Sequence, residues 1–389
     1  MSELVLKCEP LNKVLDGKEI SKYDTEQVYE ISKKDPTELF QASQILRIKH
    51  KGYVVSFSKK AFFNIINLCR DICSYCTYKA EPNETKLSMM SKENIRQLIE
   101  LAKTYRCVEA LFVTGERPEE KYKEAREWLK KNGFLSTAEY LIHISEFVLE
   151  NGLFPHTNAG NLTKSEMHEL QKTNVSMGLM LESSSERLTQ KGFPHYLAPS
   201  KHPKARIEVL RNAGELRIPM TSGLLVGIGE TPYEIIDSLY VLKTLHKQYH
   251  NIQEIILQNF HPKEGTLMRN FPAAEENYFK TVVAIARIIM PEMNIQIPPN
   301  LSPKSYQSFL SVGINDWGGI SPLTPDYVNP EFSWPQISKI EENCENVGFK
   351  LKCRFPVYPE FFDFLNSNLR QKISTIEDGL RFVREEYWR

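Results

Sequence analysis

The chain has 389 residues, which is enough for one large domain or two ordinary ones. Lys and Arg together number 49, as do Asp and Glu, so the formal net charge is zero. This balance argues against a nucleic-acid-binding protein, which usually carries a basic excess, and leaves small-molecule chemistry open. Hydrophobic residues at 41% and charged residues at 25% are typical of a globular protein, so composition alone requires no disordered part.

The N-terminal sequence MSELVLKCEPLNKVLDGKEI lacks the apolar core of a signal peptide, and no later stretch has the roughly 18 uncharged apolar residues of a membrane span. We therefore expect a protein of the cytoplasm, where thiols stay reduced, and no membrane partner. Seven cysteines are an odd number, which fits poorly to a closed disulfide framework. Four of them, Cys8, Cys107, Cys344 and Cys353, are expected to be free and mostly buried. Cys344 and Cys353 could in principle be ligands, although nothing around them shows ligand spacing.

The predicted elements begin with a helical lead-in over residues 1–60 and continue as alternating strands and helices. The eight predicted strands are apolar runs at 61–67, 108–115, 153–158, 175–182, 218–228, 254–260, 293–298 and 313–319. Between them lie helical stretches, such as 91–106 behind an N-cap at Ser91 and one begun by a Thr163–Glu166 capping box. This alternation predicts an α/β fold, a (β/α)8 TIM-type barrel, complete or nearly so. We expect the barrel domain to span 61–330 and a C-terminal helical appendix to span 331–389.

In a barrel of this type, chemistry gathers where the strands end and the βα loops begin. The cysteine run follows the first predicted strand, TGERPEE follows the second, and LE ends the fourth. GLLVGIGE closes the fifth, QNF ends the sixth, and DWGG falls at the eighth. The unusual polar segments are therefore expected to share one rim, which is stronger evidence for a site than any single motif.

Residues 68–76, LCRDICSYC, place Cys69, Cys73 and Cys76 in a Cys-x3-Cys-x2-Cys pattern with no fourth cysteine nearby. Three thiolates on one loop can bind three irons of a [4Fe–4S] cube, which leaves the fourth iron open to a substrate. The alternatives are a zinc site completed by a distant histidine, or chance clustering. Zinc ligands usually come as Cys-x2-Cys with a second pair nearby, and the sequence has no such second pair.

The cysteine spacing, with Tyr75 just before the last cysteine, resembles that of radical S-adenosylmethionine (SAM) enzymes. Further segments, LCRDICSYCTY, GLLVGIGET, IILQNFHPKEGT and above all GINDWGGISPLTPDYVNPE, resemble the 7,8-didemethyl-8-hydroxy-5-deazariboflavin (FO) synthase family, in its separate CofG-type subunit. The resemblance covers residues 60–335. One departure is Thr114, where the wider superfamily often has a second glycine, and a backbone contact would survive that change. The resemblance implies a [4Fe–4S] cluster on the three cysteines and SAM bound at its open iron.

The resemblance also implies which residues bind SAM: Tyr75, Gly115, Glu116, Glu182, Arg206, Gly223, Gly227 and Gly229. Gly115 and Glu116 correspond to the loop that holds the SAM amine, Glu182 to a ribose ligand, and Arg206 to a carboxylate ligand. The three later glycines would let the backbone approach the ligand closely. Each also has a plain interpretation, as a helix N-terminus, a solvated helix arginine or a tight turn.

Six polar residues of the predicted rim could face the substrate: His156, Asn158, Asn259, His261, Asn315 and Asp316. Each is also a candidate for a purely structural role, because buried polar groups are usually satisfied within the fold. Asn315, Asp316 and His156 are the candidate catalytic residues, with Asn315 and Asp316 expected above the bound nucleoside.

The implied reaction is that of a carbon–nitrogen lyase of coenzyme F420 biosynthesis. It converts a tyrosine–ribityldiaminouracil adduct into the deazaflavin and releases ammonia. The implied partners are the tyrosine-using partner subunit and a reductant protein such as a ferredoxin or flavodoxin. The alternatives are another radical SAM enzyme of similar fold, of menaquinone-pathway or biotin-synthase type, a non-enzymatic iron–sulfur electron carrier, or a zinc-stabilised binding module.

Overall fold

Eight parallel strands close into a barrel in the computed structural model, which describes residues 6–389. The sheet runs in the order β2-β3-β4-β5-β6-β7-β8-β1, and β1 also pairs with β2, which closes the ring. A ninth strand lies beside β1, parallel to it. The strands are β1 Val54–Ile66, β2 Glu109–Thr114, β3 Phe154–Asn158, β4 Ser176–Gly178, β5 Met220–Val226, β6 Ile252–Asn259, β7 Asn294–Gln296, β8 Asp316–Ile320 and β9 Lys350–Cys353. The predicted barrel of eight strands is confirmed.

Helices surround the barrel and bury their apolar faces against its strands. They are α1 Glu9–Leu15, α2 Lys22–Ser32, α3 Thr37–Lys51, α4 Lys92–Thr104, α5 Pro118–Lys121, α6 Lys123–Lys131, α7 Thr137–Glu150, α8 Lys164–Leu170, α9 Pro203–Glu215, α10 Pro232–Tyr249, α11 Glu276–Ile289, α12 Ile337–Glu345 and α13 Ser367–Ser374. The predicted caps are confirmed: Ser91 accepts from the amide of Asn94, and Thr163 accepts from that of Glu166. None of the helices between residues 6 and 389 has the length and apolar character that crossing a membrane requires.

Strand β1 begins at Val54, earlier than the predicted 61, because it has three neighbours to pair with. Its first residues pair with β9, its middle with β8, and the stretch from Lys60 to Ile66 with β2. The helical lead-in therefore ends with α3 at Lys51, and the predicted boundary at residue 60 falls inside β1. The division of the chain into three segments at 60 and 330 stays a prediction.

The C-terminal segment closes the amino end of the barrel. Beyond β9, the guanidinium of Arg354 donates from Nε to Asp316 Oδ2 at 2.7 Å, at the start of β8. It also donates from Nη2 to Glu254 Oε2 on β6 at 3.2 Å. The carbonyl of Pro356 accepts from Gln253 Nε2 at 3.1 Å, and the hydroxyl of Tyr358 donates to Glu254 at 2.8 Å. This part of the appendix is therefore the floor of the barrel, and the site must open at the opposite end.

Candidate active site

The loop after β1 carries the three clustered cysteines at the carboxyl end of the barrel. Backbone hydrogen bonds hold it from two sides: Ile72 donates to the Leu197 carbonyl at 2.8 Å, and Ser74 to that of Pro194 at 2.9 Å. Gly115, just after β2, has no side chain because a Cβ there would lie 1.9 Å from the Leu68 carbonyl oxygen. The end of β2 therefore approaches the cysteine loop directly.

Cys69, Cys73 and Cys76 all line one cavity of about 280 Å³ at this end of the barrel. The amide of Glu116 donates to Cys69 Sγ at 3.2 Å. Burial raises the pKa of the Cys69 thiol to about 11 and also raises the pKa of Cys73, so their thiolates need a bound cation for compensation. Among residues 6–389, no group of three His, Cys, Asp or Glu side chains converges on a single metal ion. Three thiolates that share one cavity can each bind one iron of a [4Fe–4S] cube.

The other cysteines of the chain lie away from this cavity. Cys344 is buried behind the barrel wall and accepts from Trp317 Nε1 at 3.4 Å. Cys353 ends β9 near the barrel floor, and Cys107 precedes the amino end of β2. In the part of the chain that the structure describes, neither these three cysteines nor Cys8 lines the cavity.

Glu182 shows the clearest sign of a ligand position in the cavity. It has a left-handed backbone with φ of 64°, which turns its side chain from the wall above β4 into the cavity. Oε1 accepts from Lys201 Nζ at 2.5 Å, while Oε2 is buried and has no hydrogen-bond partner among the described residues. Burial alone would raise its pKa, but the Lys201 ammonium lowers it, so the carboxylate is charged. A buried oxygen without a partner is costly, and a ligand hydroxyl would satisfy it.

Three more of the predicted SAM-binding residues line the same cavity, each held by a neighbour. The carboxylate of Glu116 accepts from the Asn161 amide at 3.0 Å. Arg206, a buried residue of α9, donates from Nε to the Ser200 carbonyl at 2.9 Å, which leaves its other nitrogens to the cavity side. The Tyr75 hydroxyl lies 3.0 Å from His195 Nε2. With Gly115 and Glu182, five of the eight predicted residues are brought together.

The glycines of the β5 region do not line this cavity. At Gly223 a Cβ would lie 1.9 Å from the Ile256 carbonyl oxygen on β6, so this glycine permits close packing of two strands. Gly227 and Gly229 have φ of 99° and 109° in the turn after β5, which only glycine adopts easily. Glu230 accepts from the amide of Gly227, which fixes this turn. In the described structure these three glycines shape the backbone and do not contact the cavity.

The predicted placement of Asn315 and Asp316 above the nucleoside is wrong. Strand β8 starts at Asp316, so both residues lie at the amino end of the barrel, on the floor. The side chain of Asn315 accepts from Arg287 Nη2 at 2.9 Å, and Asp316 is fully buried against Arg354. The carboxyl end of β8 is Ile320, and the polar residues of this string that reach the cavity come after it.

The other polar candidates differ in which of two cavities they border. His156 lies on β3 below the main cavity, beside a smaller inner cavity of about 60 Å³, with Nδ1 2.7 Å from Ser176 Oγ. Burial lowers its pKa to about 4, so the ring is neutral at neutral pH. Asn158 borders both cavities. Asn259 and His261 hold the Leu301 carbonyl instead and do not line either cavity.

Several residues of the cavity were not predicted. They are Lys60, Asp71, Lys201, Gln258, Gln296, Asp326, Asn329 and Trp334. Asp71 lies between Cys69 and Cys73 in the sequence, and its buried Oδ1 has no hydrogen-bond partner among the described residues, although Arg70 Nε lies 3.7 Å away. Asp326 and Asn329 belong to the unusual string at 313–331, so its polar residues could have been considered as a whole. No sequence signal marks Lys60, which precedes the predicted start of the first strand.

The chain is similar to several known proteins. Residues 63–239 match the family model described as the Radical SAM superfamily. The chain is 42% identical to 7,8-didemethyl-8-hydroxy-5-deazariboflavin synthase of Methanopyrus kandleri over 85% of this chain and 100% of that protein. It is 44% identical to the enzyme of the same name from Methanocaldococcus jannaschii, over 83% of this chain and 89% of that protein.

Among solved structures, methylornithine synthase superposes with a TM-score of 0.70 at 18% identity, covering 88% of this chain and 97% of that one. This likeness supports the fold alone. The two synthases are similar enough, over nearly their whole length, to establish the family. The chain is therefore a radical SAM enzyme and belongs to the 7,8-didemethyl-8-hydroxy-5-deazariboflavin synthase family.

Proposed function

We propose that this protein forms 7,8-didemethyl-8-hydroxy-5-deazariboflavin from a tyrosine–ribityldiaminouracil adduct, with release of ammonia, in coenzyme F420 biosynthesis. The observation that carries the proposal is one cavity at the carboxyl end of the barrel, which joins three cysteine sulfurs to a polar wall. That wall includes residues of the string at 313–331, where the family resemblance is most specific. The cavity therefore has a place for the radical chemistry and a place for a polar substrate.

Cys69, Cys73 and Cys76 are the proposed ligands of a [4Fe–4S] cluster, and SAM is the proposed ligand of its fourth iron. When bound and reduced, this pair supplies a 5′-deoxyadenosyl radical that removes a hydrogen atom from the substrate. Since the other described cysteines lie outside the cavity, they offer the fourth iron no thiolate, unlike in an electron carrier. The protein residues bind and orient SAM and keep water away from the reacting carbon.

Each of the five predicted SAM-binding residues that line the cavity has its own proposed role in binding SAM. Glu116, beside the cysteine loop, suits the amine, and Arg206 suits the carboxylate. The unpartnered oxygen of Glu182 suits the ribose hydroxyls. Tyr75 and Gly115 shape the loop around the bound molecule. We propose these roles on charge and position.

The rest of the cavity suits the adduct. Asn158, Gln258 and Gln296 offer amide groups, and Asp326 and Asn329 offer further polar atoms from the segment after β8. A uracil ring and a ribityl chain need such carbonyl, amide and hydroxyl partners. The lining also includes an aromatic pair: Phe62 and Trp334 stack with ring centroids 5.7 Å apart and an interplanar angle of 23°. This aromatic pair suits the phenol ring that tyrosine contributes.

We further propose two protein partners: the tyrosine-using subunit that makes the adduct, and a one-electron donor such as a ferredoxin or flavodoxin. The first would supply the adduct and the second would supply the electron that the cluster needs. The cytoplasm, where thiols stay reduced, suits the three cluster cysteines.

Anaerobic reconstitution tests the proposal. The protein is loaded with iron and sulfide, and we expect about four of each per chain. It is then mixed with the partner subunit, tyrosine, the diaminouracil, SAM and a reductant, and deazaflavin fluorescence is recorded. The control omits the partner subunit and should show none. A loaded enzyme that cleaves SAM but forms no deazaflavin in the full mixture contradicts the proposal and favours another radical SAM reaction.

A further inference from the structure

Lys60 occupies a position for which the site described above has no use. It lies on β1 and borders both the main cavity and the inner cavity beneath it. In the parallel register it stands beside Glu109 of β2, so both side chains point into the barrel. Its amine therefore lies at the deep end of the proposed substrate site, on the side away from the barrel mouth.

The fold makes room for this side chain. A Cβ at Gly319 of β8 would lie 1.8 Å from Lys60 Cε and 2.0 Å from Nζ. Gly319 is the third glycine of the string at 313–331, and the lysine side chain needs the space that this glycine leaves. The next residue on the same face of β1, Phe62, has its ring centroid 4.5 Å from Nζ. The side chain of Lys60 therefore lies in a groove between β1 and β8.

The ammonium group of Lys60 has no hydrogen-bond or ion-pair partner among the described residues. Among residues 6–389, no hydrogen bond or ion pair holds Nζ, whereas the neighbouring Lys59 donates to the Trp388 carbonyl at 2.8 Å. The titratable and charged groups that face Lys60 come from five elements: Glu109 on β2, His156 on β3, Glu254 on β6, Asp326 after β8 and Arg354 after β9. Burial lowers the pKa of Lys60, and the carboxylates oppose this only in part. An amine of this kind exchanges protons more readily than a surface lysine.

We propose that Lys60 is the proton donor for ammonia release, an inference that rests on the function proposed above. The carbon–nitrogen bond of the substrate breaks, and nitrogen keeps both bonding electrons, takes a proton from Nζ and leaves as ammonia. The neighbouring carbon loses a proton, and the electron pair of that C–H bond forms the ring double bond. Lys60, now a neutral amine, takes this proton and returns to its ammonium form. The step therefore balances without a further reagent.

The test separates hydrogen abstraction from ammonia release. Lys60→Met and Lys60→Arg are loaded with cluster, and 5′-deoxyadenosine, ammonia and deazaflavin are measured with the adduct. We expect 5′-deoxyadenosine formation close to that of the wild type. We expect deazaflavin and ammonia to fall by about 10²–10⁴-fold in both variants, the usual contribution of a general acid. Mass spectrometry should then find a product that retains the nitrogen. Arginine keeps the charge but does not give up its proton, so it distinguishes proton donation from charge alone.

Two further measurements have readouts that a structural role would not move. In Lys60→Ala, added methylammonium should restore deazaflavin formation, because it fits the space that the side chain leaves. In cluster-free wild type with 13C-labelled lysine, the ε-carbon signal that Lys60→Met lacks should titrate below the ordinary 10.5. The matched control is Lys59→Met, whose side chain bonds outside the cavity and whose loss should leave deazaflavin formation unchanged.

Each unfavourable result has a definite meaning. Full deazaflavin formation by Lys60→Met or Lys60→Arg would overturn the proposal. Parallel loss of 5′-deoxyadenosine and deazaflavin would also overturn it, since Lys60 would then position the adduct for hydrogen abstraction. If the variants do not fold, the wild-type pH profile decides: ammonia release that does not decline as pH rises toward 10.5 refutes a lysine donor. Failure of the wild type to form deazaflavin would refute the proposed function instead.

Discussion

Replacing Asp316 by alanine should unfold the protein more easily without acting on the substrate. Its carboxylate accepts from Ser56, from the Gly318 amide and twice from Arg354, at 2.7 Å and 3.1 Å. Removing one partner of a buried ion pair costs about 3–5 kcal/mol, because the other charge stays buried without compensation. Glu254 remains 3.2 Å from Arg354 and keeps part of that compensation. We therefore expect the free energy of unfolding to fall by about 3 kcal/mol, at the lower end of this range.

Urea unfolding of the cluster-free protein, followed by circular dichroism, measures this change. The control is Asp237→Ala, which breaks an exposed ion pair with Lys22 and should cost less than about 1 kcal/mol. Cluster-loaded Asp316→Ala that remains folded should bind SAM with wild-type affinity, since residue 316 lies on the barrel floor. Unchanged stability together with lost deazaflavin formation would refute this reasoning and restore the substrate role that the sequence suggested.

Three further predictions concern the cluster, SAM and pH. Cys69→Ala should lose the cluster and reductive SAM cleavage, while Cys344→Ala should keep both; iron analysis checks this, and full iron content in the first variant contradicts it. Glu182→Gln should weaken SAM binding about tenfold to a thousandfold in a titration of loaded protein, and unchanged affinity excludes Glu182 from the site. His156 has an ordinary pKa of 6.5 when unfolded and about 4 when folded, so the unfolded state gains the proton first as pH falls through this window. Stability should therefore decline by up to about 3 kcal/mol between these values, at about 1.4 kcal/mol per pH unit, and an equally steep decline in His156→Gln would be the wrong result.

The sequence predicts the barrel well because its strands are strongly marked. The run at 108–115 and the cysteine loop after 61–67 each have one sensible place in a parallel barrel, and Glu182 is conspicuous at the end of an apolar strand. These features depend on residue type and on the alternation of strands and helices, and both can be read from the sequence alone.

Positions along a strand are harder to predict. Asn315 and Asp316 were assigned to the wrong end of the barrel because a shift of three residues in the start of β8 is enough to reverse their level. Strand β9 was not predicted because four residues are too few to show the alternation of apolar and polar side chains that marks a strand. Lys60 was missed because its direction depends on pairing with β2, and pairing over such a distance in sequence leaves no local pattern.

The residues that form the floor of the barrel follow all eight barrel strands in the sequence. The eight strands and the cysteine loop all emerge before Arg354, so the carboxylates of Glu254 and Asp316 wait for their cation until synthesis is nearly complete. A nascent chain released before that point would hold two buried acids without a counter-ion in an otherwise formed barrel. We therefore expect a chain cut before Arg354 to form a less stable barrel than the full chain, because Glu254 and Asp316 would lack their cation.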